Sequence, residues 1–151
     1  MADGDAALFN KALSYLSRRE HHRAELKSKL LNSKVGNKHN IDVVLDRLES
    51  EGLLSDMRFI EAFIASRQAR FYGPVRIKME LQQKKLNAED IDRILAAADF
   101  NWQNNARVCL RKKFPEKAAN SQELAKQRRF LWQRGYADEM IRAALEVDDD
   151  E

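Results

Sequence analysis

The chain repeats itself. Along its 151 residues, similar residues recur at an interval of fifty: Ile41, Ile91 and Ile141 share one register, as do Leu45, Leu95 and Leu145, Leu31, Leu81 and Leu131, and the capping positions Asn37, Asn87 and Ala137. Apolar and capping positions that recur together, each where a helix needs them, predict one three-helix unit present three times. The first helices agree less well, since Phe9, Phe59 and Cys109 align but Leu13 and Phe63 meet Lys113. A unit this small buries too little apolar surface to offset its chain entropy, so neighbouring units are expected to lean on one another. The expected fold is all-α, with three tandem helix-turn-helix-like repeats in an elongated array. Their expected bounds are residues 1–53, 54–100 and 101–151, the last ending in the acidic tail Asp148-Asp149-Asp150-Glu151.

The middle unit gives the pattern most fully. Ser55 or Asp56 is placed to cap its first helix, because a short side-chain oxygen there accepts from free amides of the opening turn. Met57, Ile60, Phe63, Ile64 and Phe71 follow at helical spacing. Gly73-Pro74 ends that helix and opens the next, with proline where a missing N–H does no harm. Asn87 with Asp90 resembles a capping box for the third. Lys85 stands where the third unit has Gly135, and a left-handed turn there would cost lysine roughly 1 kcal/mol.

In the first unit, a helix from about Ala6 to Arg18 turns Leu8, Phe9, Ala12, Leu13 and Leu16 inward. A charged joint, Arg19-Glu20-His21-His22-Arg23, leads to the second helix, and a loop at 35–40 is longer than its counterpart if Leu30 rather than Leu31 matches Leu81. A helix from about Lys38 to Glu51 buries Ile41, Val44, Leu45 and Leu48, with Gly52 as its C-terminal cap. The third unit is expected to run from Trp102 to Phe114, from Ser121 with Glu123, and from Ala137 to Val147.

Five glycines, two prolines and few β-branched residues leave little material for sheet. A single cysteine, Cys109, excludes an internal disulfide, fits a reducing compartment and reads as a buried apolar residue. Asp3 and Asp5 at the N-terminus, with no long apolar run, indicate neither signal peptide nor membrane span, so a cytoplasmic protein is expected.

The net charge of +3 hides a banded distribution. Middle helices are basic, as with Arg76, Lys78, Lys84 and Lys85 against Glu80, while third helices are acidic, as with Glu89, Asp90 and Asp92 against Arg93. The richest basic ground is 107–134, where Arg107, Arg111, Lys112, Lys113 and Lys117 join Lys126, Arg128, Arg129 and Arg134. Insertion of the second helix of a helix-turn-helix into a DNA groove is disfavoured, because that helix is acidic in every unit. Three readings of the basic helices stay open. They are solvated faces neutralised by the acidic helices next door, contacts to a phosphate backbone, or one half of a charge match with a protein of opposite pattern.

Trp102, Trp132, Tyr72 and Tyr136 are able to stack on bases, but lie on or beside apolar helical faces, which favours core packing. Arg67, within the apolar stripe, is expected to lay its stem on the core and its guanidinium on a carboxylate or helix end. His21 and Glu25 are spaced i, i+4 without the second histidine of a zinc site, and His22 and His39 fall in exposed surroundings, so no metal is expected. There is no glycine-rich phosphate cradle and no nucleophile paired with a base. The residues describe a non-enzymatic binding module without a cofactor.

Arg19-Glu20-His21 with Glu25-Leu26 and Lys29-Leu30, then Gly52-Leu53-Leu54-Ser55-Asp56 with Arg58-Phe59 and Arg67, then Tyr72-Gly73-Pro74 with Arg76-Ile77 and Glu80-Leu81, then Arg134-Gly135-Tyr136, resemble the bacterial recombination regulator family RecX. The likeness covers nearly the whole chain and is most specific from Leu54 to Leu81. Lys85, His22 and the loop at 35–40 depart from the family pattern. The resemblance implies a monomeric regulator in DNA recombination, repair and the SOS response. Such a protein binds the RecA filament on single-stranded DNA, lodges along its groove and damps its ATPase, strand-exchange and co-protease activities. A general nucleic-acid binder that needs no RecA is the alternative. Contact residues do not follow from the motifs; the basic pattern nominates Arg76, Lys78, Arg107, Arg111, Lys112, Arg128 and Arg129.

Overall fold

The computed structural model describes residues 3–146, so Val147 and the acidic tail lie outside the described residues. Among the described residues the chain is helical throughout, without a strand. The order is α1 (Asp3–Leu16), α2 (Arg23–Asn32), a 3-10 turn (Lys38–Asn40), α3 (Ile41–Ser50), α4 (Asp56–Ala69), α5 (Pro74–Gln83), α6 (Ala88–Ala97), α7 (Trp102–Lys113), α8 (Ser121–Gln133) and α9 (Asp138–Glu146). These are three successive sets of three helices, the tandem repeat that the fifty-residue interval predicts. The first helix begins at Asp3 rather than at about Ala6. No described helix is long and apolar enough to cross a membrane.

The chain divides into two compact units, Met1–Ala62 and Phe63–Glu151, and the division falls within α4. In the first unit Leu8 and Ala12 of α1, Leu26 and Leu30 of α2, and Ile41, Val44, Leu45 and Leu48 of α3 close one core with Leu54. Each buried leucine or isoleucine there contributes about 2 kcal/mol relative to exposure. Leu30 is 0% exposed and Leu31 is 48% exposed, so Leu30 is the equivalent of Leu81 and the gapless match of Leu31 is a coincidence. The extra residue is taken up before α3, where Asn37 accepts from the His39 amide at 3.0 Å and caps the 3-10 turn. Lys38 Nζ donates to the carbonyls of Leu30 at 2.9 Å and Val35 at 3.3 Å, closing the exit of α2.

Both proposed capping residues of α4 act, at different helices. Ser55 Oγ accepts from the Arg58 amide at 3.2 Å and caps α4 itself. Asp56 Oδ1 accepts from the Arg23 amide at 2.7 Å, satisfying the N-terminus of α2, where His22 makes no side-chain cap. His22 is not exposed as the sequence suggested: at 7% exposure it packs edge-on against Phe59, ring centroids 4.9 Å apart. His21 is 1% exposed. Its Nδ1 lies 3.1 Å from the Arg19 carbonyl and its Nε2 lies 2.8 Å from Lys29 Nζ. An ammonium can only donate, so Nε2 accepts and Nδ1 carries the proton. Burial, with Arg19 and Lys29 nearby, lowers the pKa of His21 from its ordinary value.

The second unit buries Ile64 of α4, Ile77 and Leu81 of α5, and Ile91 of α6. A further cluster joins Ala106, Cys109 and Leu110 of α7, Leu131 of α8, and Tyr136, Ile141 and Ala144 at α9. Polar caps open three of its helices: Asn87 accepts from the Asp90 amide, Asn101 from Asn104 and Asn120 from Glu123. α8 starts at Ser121 as expected, with Asn120 as its cap, and Glu123 reaches back to accept from the Ala119 amide at 2.7 Å. Lys85 sits at φ 62°, the left-handed conformation in which its side chain is strained. Arg67 lies 4.6 Å over the Phe63 ring with Nε 3.4 Å from Glu80, the structural position its place in the apolar stripe implies.

Candidate partner interface on the second and third repeats

The junction of α5 with the turn from α8 to α9 is made by the two most distinctive tripeptides of the sequence. The Gly73 amide donates to the Arg134 carbonyl at 2.8 Å and the Val75 amide to the Gly135 carbonyl at 2.9 Å. These are the free amides of the first turn of α5, so the neighbouring repeat completes that helix end. Gly135 has φ 96°, and a Cβ on either glycine would overlap backbone of the other tripeptide or of Arg76. Arg134 turns back over the same turn: its Nε donates to the Phe71 carbonyl at 3.1 Å and a terminal nitrogen to the Arg70 carbonyl. Two guanidinium groups lie over the Tyr72 ring, Arg134 at 4.0 Å and Arg76 at 4.3 Å from its centroid. Stacked cations of this kind fix a surface as well as charge it.

Beside this junction a cleft of about 780 Å³ is lined by Val75, Met79, Trp132 and Tyr136, with Arg76 and the carboxylates Glu80 and Asp138, of which Glu80 is paired with Arg67 and Arg76. Trp132 also borders a second groove of about 590 Å³, where Arg128, Arg129 and Arg142 face Asp138. Arg111, Lys117, Arg128 and Arg142 line a third depression of about 320 Å³ beside Asn120 at the start of α8.

The charge bands resolve differently in each repeat. In the first, Arg23 Nη1 lies 2.8 Å from Asp46 and also pairs with Glu49, and Lys27 lies 3.1 Å from Asp42, so α3 neutralises α2. In the second, Lys78 lies 2.7 Å from Asp92 of α6, and Arg76 shares Glu80 with Arg67. In the third, no ion pair among the described residues engages Arg128, Arg129 or Arg142, and Arg128 and Arg129 are exposed. Of the nominated residues, Arg111, Arg128 and Arg129 are thus gathered on one side of the third repeat. Arg111 also holds the end of α7, its Nη1 donating to the Phe114 and Glu116 carbonyls at 3.1 Å each. Arg76 belongs to the glycine junction. Lys78, Arg107 and Lys112 lie apart from the grooves: Arg107 donates to Asn104 at 2.7 Å and Lys112 lies 4.5 Å over the Phe71 ring.

The aromatic residues divide as well. Tyr136 is 1% exposed, and burial pushes its hydroxyl far above the ordinary tyrosine range. Cys109 is a core residue whose Sγ lies 3.9 Å from the Phe71 carbonyl, and burial raises its thiol pKa. Trp132 departs from the core-packing expectation, being 67% exposed. The helical wheel carries the signal that separates it from the core. Gln127 and Leu131 set the buried line of α8, and Trp132 falls about 100° away from it. Val75 and Met79, an i, i+4 pair, stand about 200° from Ile77 and Leu81 on α5. Arg142 escapes a reading by charge bands, because there it counts only as an offset to its acidic helix.

Comparison with known proteins bears on the whole chain. Two family models match, described as RecX, second three-helix domain, over residues 55–95, and RecX, third three-helix domain, over residues 102–145. A protein named Regulatory protein RecX from Pseudomonas fluorescens strain Pf-5 is 41% identical over 140 residues, covering 92% of this chain and 90% of its own. Its namesake from Ectopseudomonas mendocina strain ymp is 41% identical over 142 residues, covering 93% and 94%. The crystal structure of RecX from Lactobacillus salivarius superimposes with a TM-score of 0.82 over 100% of both chains at 19% identity, which shows the fold.

Proposed function

The chain belongs to the RecX family of regulatory proteins, and on that premise we propose that it binds the RecA filament on single-stranded DNA and inhibits its recombinase, ATPase and co-protease activities. It acts by occupancy, as a cytoplasmic monomer without catalytic chemistry or cofactor. The observation that carries this reading is the group Arg128, Arg129 and Arg142, which the acidic helix of its own repeat leaves without ion pairs among the described residues. An arginine cluster of this kind meets phosphates or carboxylates from outside, and a filament of protein on nucleic acid offers both. Arg111 extends the same ground, and Arg76, Lys78, Arg107 and Lys112 add long-range attraction around it.

Titrating the protein into RecA on single-stranded DNA and following ATP hydrolysis tests the proposal. Hydrolysis should fall as the protein saturates, and unchanged hydrolysis at saturation removes the reading. The same arginines also favour a second reading, general binding of nucleic acid. That reading predicts tight binding to DNA without RecA, weakening steeply as salt rises.

A further inference from the structure

The cleft between α5 and the α8–α9 turn carries exposed apolar side chains alongside Arg76, Glu80 and Asp138, and Glu80 is already paired with Arg67 and Arg76. Val75, Met79 and Trp132 around it are 56%, 50% and 67% exposed. Three large apolar side chains around one concavity form a patch of the kind that binding covers. The two backbone hydrogen bonds from Gly73 and Val75 fix its walls, so little ordering remains to be done when a partner enters. Trp132 borders both this cleft and the groove lined by Arg128, Arg129 and Arg142, and Asp138, the one carboxylate of that groove, borders both as well.

The charges say what covers it. A second copy docking by the same face would bring two sets of these arginines together, which opposes a symmetric dimer. A nucleic-acid strand has phosphates for the arginines and a base for Trp132, but Val75 and Met79 offer aliphatic surface with no stacking plane. We propose that the cleft docks an amphipathic, acidic segment of a partner protein, its apolar side chains between Val75, Met79 and Trp132 and its carboxylates against Arg128, Arg129 and Arg142. This rests on the function proposed above, under which the segment belongs to the recombinase and the cleft is where the chain grips filament protein.

The test uses the full chain and two probes, RecA on single-stranded DNA read by ATP hydrolysis, and a free oligo-dT strand read by fluorescence anisotropy. Val75→Glu and Met79→Glu lie at exposed positions, and a thermal melt verifies that each folds. Each should raise the concentration for half-inhibition by about tenfold or more, as removal of an apolar anchor does, while oligo-dT binding changes less than about twofold. Inhibition by both variants at the wild-type concentration overturns the proposal and leaves the filament reading standing. Loss of filament inhibition and oligo-dT binding to the same extent in Trp132→Ala also overturns it, in favour of a stacking surface for a strand. A wild-type protein without effect on hydrolysis removes the filament reading and this partner together.

Discussion

Gly73 and Gly135 pass so close that a Cβ on the first would overlap the carbonyl of the second. Replacing Gly73 by alanine therefore has to push two backbones apart, and the two hydrogen bonds from Gly73 and Val75 stretch with them. Gly73→Ala should lower stability by about 2–3 kcal/mol, as overpacking at a rigid junction does. Gly135→Ala should cost at least as much, because its positive φ adds about 1 kcal/mol of strain. Urea unfolding followed by circular dichroism measures both.

Among the described residues, the two non-glycine residues with positive φ should respond in opposite ways. Lys85, at φ 62°, is exposed, so Lys85→Gly relieves about 1–2 kcal/mol of strain and gives back about 0.4–1 kcal/mol in unfolded-chain entropy. A net gain of about 0.5–1 kcal/mol is expected by the same denaturation assay. Phe71, at φ 63°, packs on the α7 cluster beneath Lys112. Phe71→Gly should destabilise by about 2–4 kcal/mol, because the packing it forfeits outweighs the strain it relieves.

Protonation of His21 should weaken the fold. Its ring is neutral between the Arg19 carbonyl and the Lys29 ammonium, with Glu25 the nearby carboxylate, and its pKa lies below 6.5. The unfolded chain takes up a proton near the ordinary value while the folded chain resists it. The stabilising contribution is then full above about pH 6.5 and is lost as pH falls through the lower folded value. Stability in urea should decline from about pH 7 to about pH 5, and His21→Gln should flatten that decline relative to the wild type.

The basic residues should separate into two classes in a filament assay. Arg128→Ala with Arg129→Ala should weaken inhibition by about tenfold and make it less sensitive to salt, because fewer charges are matched across the contact. Lys78→Ala should change inhibition less than about threefold, because its charge is already matched by Asp92 at 2.7 Å. Equal losses from both would place the docking surface elsewhere.

How far the sequence reads ahead can be judged residue by residue. The repeat, the caps at Asn87 and Ser55, the buried line of α3, and strain at Lys85 follow from local chemistry, because spacing and short-range hydrogen bonds decide them. What stays hidden depends on residues far apart in the chain. Whether a basic helix is neutralised depends on the reach of particular side chains, as Arg23 meets Asp46 and Arg128 meets no described partner. Burial of His22 depends on Phe59 arriving from α4. Gly73 and Gly135 stand out as motifs, but their mutual approach is a property of packing.

The hydrogen bond from the Arg23 amide to Asp56 has a consequence for where the chain can be cut. A fragment ending at residue 53 keeps every leucine of α1, α2 and α3 but forfeits the oxygen that shields the opening of α2, along with the Phe59 ring beside His22. Sequence periodicity and cooperative unfolding thus have different boundaries. A minimal, self-sufficient N-terminal piece has to borrow the beginning of the following repeat.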